Sequence, residues 1–145
     1  MLNPVCEKPP KVLLWLDDVR DPYDVKWKEY TNVFDCDQVV WVKDYNQFVQ
    51  WITQNDLPEF MSLDHDLSPD HYVPQQYWGD RQAEDKWIAE QASKEKTGMD
   101  CVKWVVDYCN LNRKRLPPTV VHSFNTTGKL NMQTYINNAK KHLGI

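Results

Sequence analysis

The chain of 145 residues has no cysteine pair at CxxC spacing, no apolar stretch near the roughly 20 residues a membrane helix needs, and no surplus of basic side chains. Each absence removes a class of function. The four cysteines (Cys6, Cys36, Cys101, Cys109) lack zinc-site spacing; Cys101 and Cys109 lie eight apart, about two helical turns, and read as buried free thiols on one face. The amino-terminal residues carry no apolar signal region, so a reduced, cytoplasmic setting is expected, with no membrane partner. Lys and Arg number 17 against 21 Asp and Glu, a net charge of −4. That balance argues against a broad grip on extended duplex nucleic acid, but not against a nucleotide or RNA end held at one local site. Internal repeats and low-complexity tracts are also missing. The length fits a single domain, taken as 1–145, with one core.

What is present is a set of apolar runs that end abruptly in chemistry. Met61-Ser62-Leu63 runs into Asp64-His65-Asp66-Leu67, Val12 to Leu16 runs into Asp17-Asp18-Val19-Arg20, and Thr119-Val120-Val121 runs into His122-Ser123-Phe124-Asn125. Strands of a parallel sheet are buried on both faces and read as continuous apolar runs, so charges at their ends lie at the carboxyl edge, where open α/β sheets bind ligands. Gln38 to Val42 reads as a further strand, and the third strand is placed at Phe60 to Leu63. Asp44 and Gln47 have the form of a capping box, followed by Tyr45, Phe48, Val49 and Ile52 at helical spacing. Thr97-Gly98-Met99-Asp100 is a second box, with Cys101, Val102, Val105, Val106 and Cys109 on one face; Asp100 is read as a cap, not a catalyst. A last helix is placed after Gly128, where Met132, Ile136, Ala139 and Leu143 recur.

Two connections lack such order. Asp17 to Asp37 reads as irregular, and Ser68 to Lys96 as a polar, aromatic-bearing insert, helical over Asp80 to Lys96, that is expected to act as a lid. The order of elements implies right-handed crossovers: an α/β three-layer sandwich with a parallel sheet of about four strands, helices on both faces and an inserted lid segment.

If the three charged strand ends lie side by side, their residue types define a chemistry. Asp17, Asp18 and Asp64 offer oxygen ligands suited to Mg²⁺ or Mn²⁺, and an added imidazole tilts the choice toward Mn²⁺. Arg20, Ser123 and Asn125 are suited to gripping a phosphate. His65 and His122 are candidate acid and base, their roles interchangeable on the sequence alone, with Asp66 a further ligand or a partner that orients a histidine. Tyr72 and Trp78 of the insert are candidates for stacking on a base.

Four motifs in order, Leu16-Asp17-Asp18-Val19-Arg20-Asp21-Pro22, Ser62-Leu63-Asp64-His65-Asp66-Leu67, Thr97-Gly98-Met99-Asp100 and Val121-His122-Ser123-Phe124-Asn125, resemble the cyclic-phosphate-processing receiver-like domains. This is an offshoot of response-regulator receivers found in bacteria and phages. The resemblance spans about Lys11 to Leu143. It implies a flavodoxin-like receiver fold and a role on cyclic phosphates of nucleotides or RNA. It also implies that Asp17, Asp18 and Asp64 match the receiver's cation-holding acids, and Ser123 its hydroxyl. The receiver's lysine after a fifth strand has no counterpart, and His65, Asp66 and His122 are additions, so plain phosphoacceptor signalling is not expected.

The leading expectation is a metal-dependent phosphoesterase acting on a cyclic phosphate. The alternatives are a non-catalytic module that binds a cyclic nucleotide signal, and a domain whose exposed aromatics meet a protein partner. A haloacid-dehalogenase-like phosphatase is disfavoured, since its first strand ends in Asp-x-Asp and this one ends in Asp17-Asp18.

Overall fold

The computed structural model describes residues 9–23, 36–67, 75–94 and 96–145. The strands fall where the apolar runs place them: β1 Val12–Leu16, β2 Gln38–Val42, β3 Phe60–Leu63 and β4 Thr119–Val121. The helices are α1 Tyr45–Asn55, α2 Arg81–Lys94, α3 Gly98–Asn112 and α4 Thr126–Leu143, with a short 3-10 turn at Gln75–Tyr77. Much of the irregular connection after β1 and the first part of the insert, Tyr72 included, lie outside the described residues. No described helix is long and apolar enough to cross a membrane.

Capping sets the helix starts. Asp44 accepts the Gln47 amide at 2.7 Å, while the Gln47 side chain reaches back to the Lys43 amide. At α3 the Asp100 carboxylate accepts the Thr97 amide at 2.8 Å, so the second box is a cap as its spacing implied. The last helix starts two residues before Gly128, at Thr126, because the Asn125 side chain accepts the Gly128 amide at 2.9 Å and draws that glycine into the first turn.

All strand pairs are parallel, in the order β2-β1-β3-β4. Alternation divides the sheet into two faces. Leu14, Leu16, Met61, Leu63 and Val121 join Phe48, Ile52, Val102, Val105, Val106, Met132 and Ile136 in the main core, so α1, α3 and α4 cover one face. Leu13, Trp15 and Val39, backed by Trp41 and Phe60, form a smaller buried cluster on the other. Cys101 and Cys109 are buried free thiols of the main core, and burial pushes Cys109 up to about 11.

This order fixes where a ligand belongs. The chain leaves β1 for β2 on one side, then crosses back over β1 to reach β3 on the other. The strand order reverses at β1, and at such a switch point the crevice lies between the carboxyl ends of the two strands that flank the reversal, here β1 and β3. The residues just past those ends are Asp17 and Asp64.

Candidate functional site

Register builds the crevice. Leu16 pairs with Leu63, and Leu63 with Val121. One residue further on, each chain is tied to its neighbour: the Asp17 amide donates to the Val42 carbonyl, the Asp64 amide to Leu16 and the His122 amide to Leu63, at 2.9 to 3.1 Å. Asp17, Asp64 and His122 therefore stand in a row on a rigid rim. Two glycines hold this rim against the helices. A Cβ on Gly98 would lie 1.8 Å from the Asp64 carbonyl oxygen, and one on Gly128 would lie 2.5 Å from His65 Cγ. Only glycine lets the starts of α3 and α4 come so close.

Asp17 is fully buried and hydrogen-bonded at both carboxylate oxygens. One carboxylate oxygen accepts the Val19 and Arg20 amides, both at 2.9 Å; the other takes Arg20 Nη1 at 3.1 Å and His122 Nε2 at 3.0 Å. Burial alone would raise this carboxyl, but the bonds from His122, Arg20 and Val19 outweigh it and hold it below the ordinary aspartate value. Asp64 shifts the other way. Burial and then the negative charge of Asp17 push it up, against weaker help from His122, Ser123 and its bond to the His65 amide. Asp18 is likewise raised, by burial and by its neighbours Asp17 and Asp64.

Oxygens of Asp17, Asp18 and Asp64 lie within 4.8 Å of one another. Three carboxylates this close, two of them with raised proton affinity, face one guanidinium, and such a donor set suits a hard divalent cation.

The two histidines differ in setting. His122 has no exposed side-chain surface: Nε2 bonds Asp17, Nδ1 lies 2.7 Å from Ser62 Oγ, and the ring stacks on Trp15 at 4.0 Å between centroids. An ionised Asp17 only accepts, so Nε2 carries the hydrogen. His65 is more open. Its Nδ1 lies 2.8 Å from Asp66 Oδ1, which assigns that nitrogen the hydrogen and leaves Nε2 as the acceptor. No described residue pairs with Nε2.

Two of the remaining expected residues, Ser123 and Asn125, join this frame. Ser123 bonds the Asp64 carboxylate and accepts the Asn125 amide at 3.0 Å; Asn125 caps α4 and reaches Asp66 Oδ1 at 3.3 Å. Both thus brace the acids. Trp78 is 66% exposed, and its backbone amide closes the 3-10 turn onto Gln75. Sequence reasoning did not single out Ser62, Trp15, Trp41 or Phe124 for the site. Trp41 Nε1 donates to the Asp17 carbonyl at 2.7 Å, and Arg20 lies over the Phe124 ring, Cζ 4.4 Å from its centroid. A hydroxyl inside an apolar strand was the available signal for Ser62, since a buried hydroxyl needs a partner.

A scan of protein families matches residues 12–138 to the cyclic-phosphate processing receiver domain. The chain belongs to that family. No curated protein and no solved structure gives a significant match. Membership bears out the receiver-like fold, and the family's description links the chain to cyclic-phosphate processing. The family match runs from the first residue of β1 into α4, so the carboxylate row, both histidines and both glycine contacts all lie within it.

Proposed function

We propose that the protein is a divalent-metal-dependent phosphoesterase that opens a cyclic phosphate on a nucleotide or RNA end. The observation that carries this reading is the convergence of Asp17, Asp18 and Asp64 at the switch point of the sheet, beside Arg20 and next in the chain to His65, an imidazole bonded to its own carboxylate, Asp66. Those three acids would hold Mg²⁺ or Mn²⁺. Such an ion withdraws charge from phosphoryl oxygens and supports attack by water.

The chain's own groups divide the remaining work. Arg20 supplies the planar fork that binds phosphate oxygens. Asp66 orients His65, whose Nε2 takes the proton of the attacking water. The new P–O bond forms to that water oxygen as one ring P–O bond breaks, and the released ribose oxygen takes a proton from solvent. His122, enclosed between Ser62, Trp15 and Asp17, acts as a positioning group that keeps Asp17 ionised and aimed. Ser123 and Asn125 hold Asp64 and Asp66 in place.

The test is mass spectrometry of 2′,3′-cyclic, 3′,5′-cyclic and cyclic oligonucleotide phosphates incubated with the protein and Mn²⁺ or Mg²⁺. The expected result is a linear phosphomonoester or diester, one water heavier, from one class, with His65→Ala slowing turnover at least a hundredfold. Recovery of every cyclic phosphate intact, with one of them bound stoichiometrically, would overturn hydrolysis in favour of a receptor.

A further inference from the structure

Arg20 lies beside two of the carboxylates that would hold the cation. Its Nη1 lies 3.1 Å from Asp17 Oδ2 and 4.0 Å from Asp64 Oδ2. The guanidinium also rests on Phe124, a ring 72% exposed at the surface. Its main chain is pinned, since the amide bonds Asp17 Oδ1 and the carbonyl accepts Trp15 Nε1, each at 2.9 Å. The side chain is the part that can swing.

We propose that Arg20 is a resident cation that exchanges places with the divalent ion, and so couples phosphate binding to metal binding. This rests on the metal reading of the site. While the guanidinium bonds Asp17 Oδ2 and stands 4.0 Å from Asp64 Oδ2 it competes for the charge that the ion needs, and two cations this close to the same acids repel. A phosphate in the crevice offers the planar fork a better-matched partner, draws Arg20 off the carboxylates and exposes them. Phe124 gives the guanidinium a surface to rest on near the carboxylates. Linkage then requires phosphate to strengthen metal binding by the same factor as metal strengthens phosphate binding. An arginine that only gripped phosphate, away from the acids, would leave the affinity for metal alone unchanged when removed.

The test is titration calorimetry of the full chain with Mn²⁺, with and without inorganic phosphate. In the wild type, phosphate should raise Mn²⁺ affinity several-fold. Arg20→Gln should bind Mn²⁺ roughly tenfold more tightly without phosphate, and show a smaller gain when phosphate is added. Arg20→Lys, which keeps the charge, should stay within about twofold of the wild type for Mn²⁺ alone. Unchanged or weaker Mn²⁺ binding in Arg20→Gln overturns the exchange. So does a wild-type affinity indifferent to phosphate, a result that needs no variant to fold. If Mn²⁺ binds the wild type and is lost in Asp64→Asn while these expectations fail, only the exchange falls. If Mn²⁺ binds neither protein, the metal reading falls with it.

Discussion

Asp17 and Asp64 face one crevice with opposite proton affinities, and the difference is testable as stability. The lowered Asp17 contributes stability that is present above the ordinary aspartate range and lost as pH falls through its folded value. Asp17→Ala strands the Val19 and Arg20 amides and the His122 ring N–H in a buried place. It should cost about 2–4 kcal/mol at pH 7 in urea denaturation, with a deficit that shrinks below about pH 4. The raised Asp64 works in reverse: its contribution is full below the ordinary range and is lost as pH rises through the folded value. Asp64→Asn keeps an oxygen for the His65 amide and removes the charge that Asp17 repels. Melting at pH 7 should rise by about 2–4 °C, and the gain should fade on acidification toward about pH 4. The same variant should abolish Mn²⁺ binding, which is the usual exchange of stability for function at a crowded site.

At the scale of elements, the starts of α3 and α4 are packed onto the rim through glycine, and the two contacts have different consequences. On Gly98 a methyl group would meet the backbone carbonyl of Asp64, which cannot rotate away. Gly98→Ala should therefore cost more than about 3 kcal/mol in denaturant titration, or fail to give folded protein. On Gly128 it would meet the His65 ring, which can turn aside. Gly128→Ala should melt within a few degrees of the wild type yet lose at least tenfold in turnover, because the ring that moves is the proposed base. The elements themselves were legible in the sequence. All four strands are short, largely apolar runs that give way to polar residues, and α1 and α3 announce themselves through caps and helical periodicity. Local chemistry of that kind survives in one dimension. The pairing of His122 was not legible, since its partners Ser62 and Asp17 lie 60 and 105 positions away. Nor was the bonding of Asp17, which depends on a turn that brings the Val19 and Arg20 amides to one oxygen. The sequence could name the acids of the crevice; the bonds that Asp17 and Asp64 accept there appear only in the fold.

Over the whole molecule acidic side chains outnumber basic ones, and one basic group lies away from the crevice. The net charge is −4, and the basic residues Arg113, Lys114, Arg115, Lys140, Lys141 and His142 cluster at the far ends of α3 and α4. The first turns of those helices pack against Asp64 and His65, and the helices run 15 and 18 residues, so their far ends lie roughly 22–27 Å from the carboxylates. Lys114 is also paired with Asp56. On the proposed function, a polynucleotide seated in the crevice would gain little from phosphates near that group, and its binding energy would come mainly from the terminal or single nucleotide. Affinity for an RNA carrying a terminal cyclic phosphate should change less than about threefold as the strand grows from two nucleotides to twelve. Its dependence on salt should correspond to about one or two phosphate contacts, not the many of a protein that tracks a backbone. Fluorescence anisotropy of end-labelled RNAs in Ca²⁺, read across a range of KCl, checks both. A steep gain with length would instead place a second, extended contact surface on the chain, and would point to the basic ends of α3 and α4 as its location.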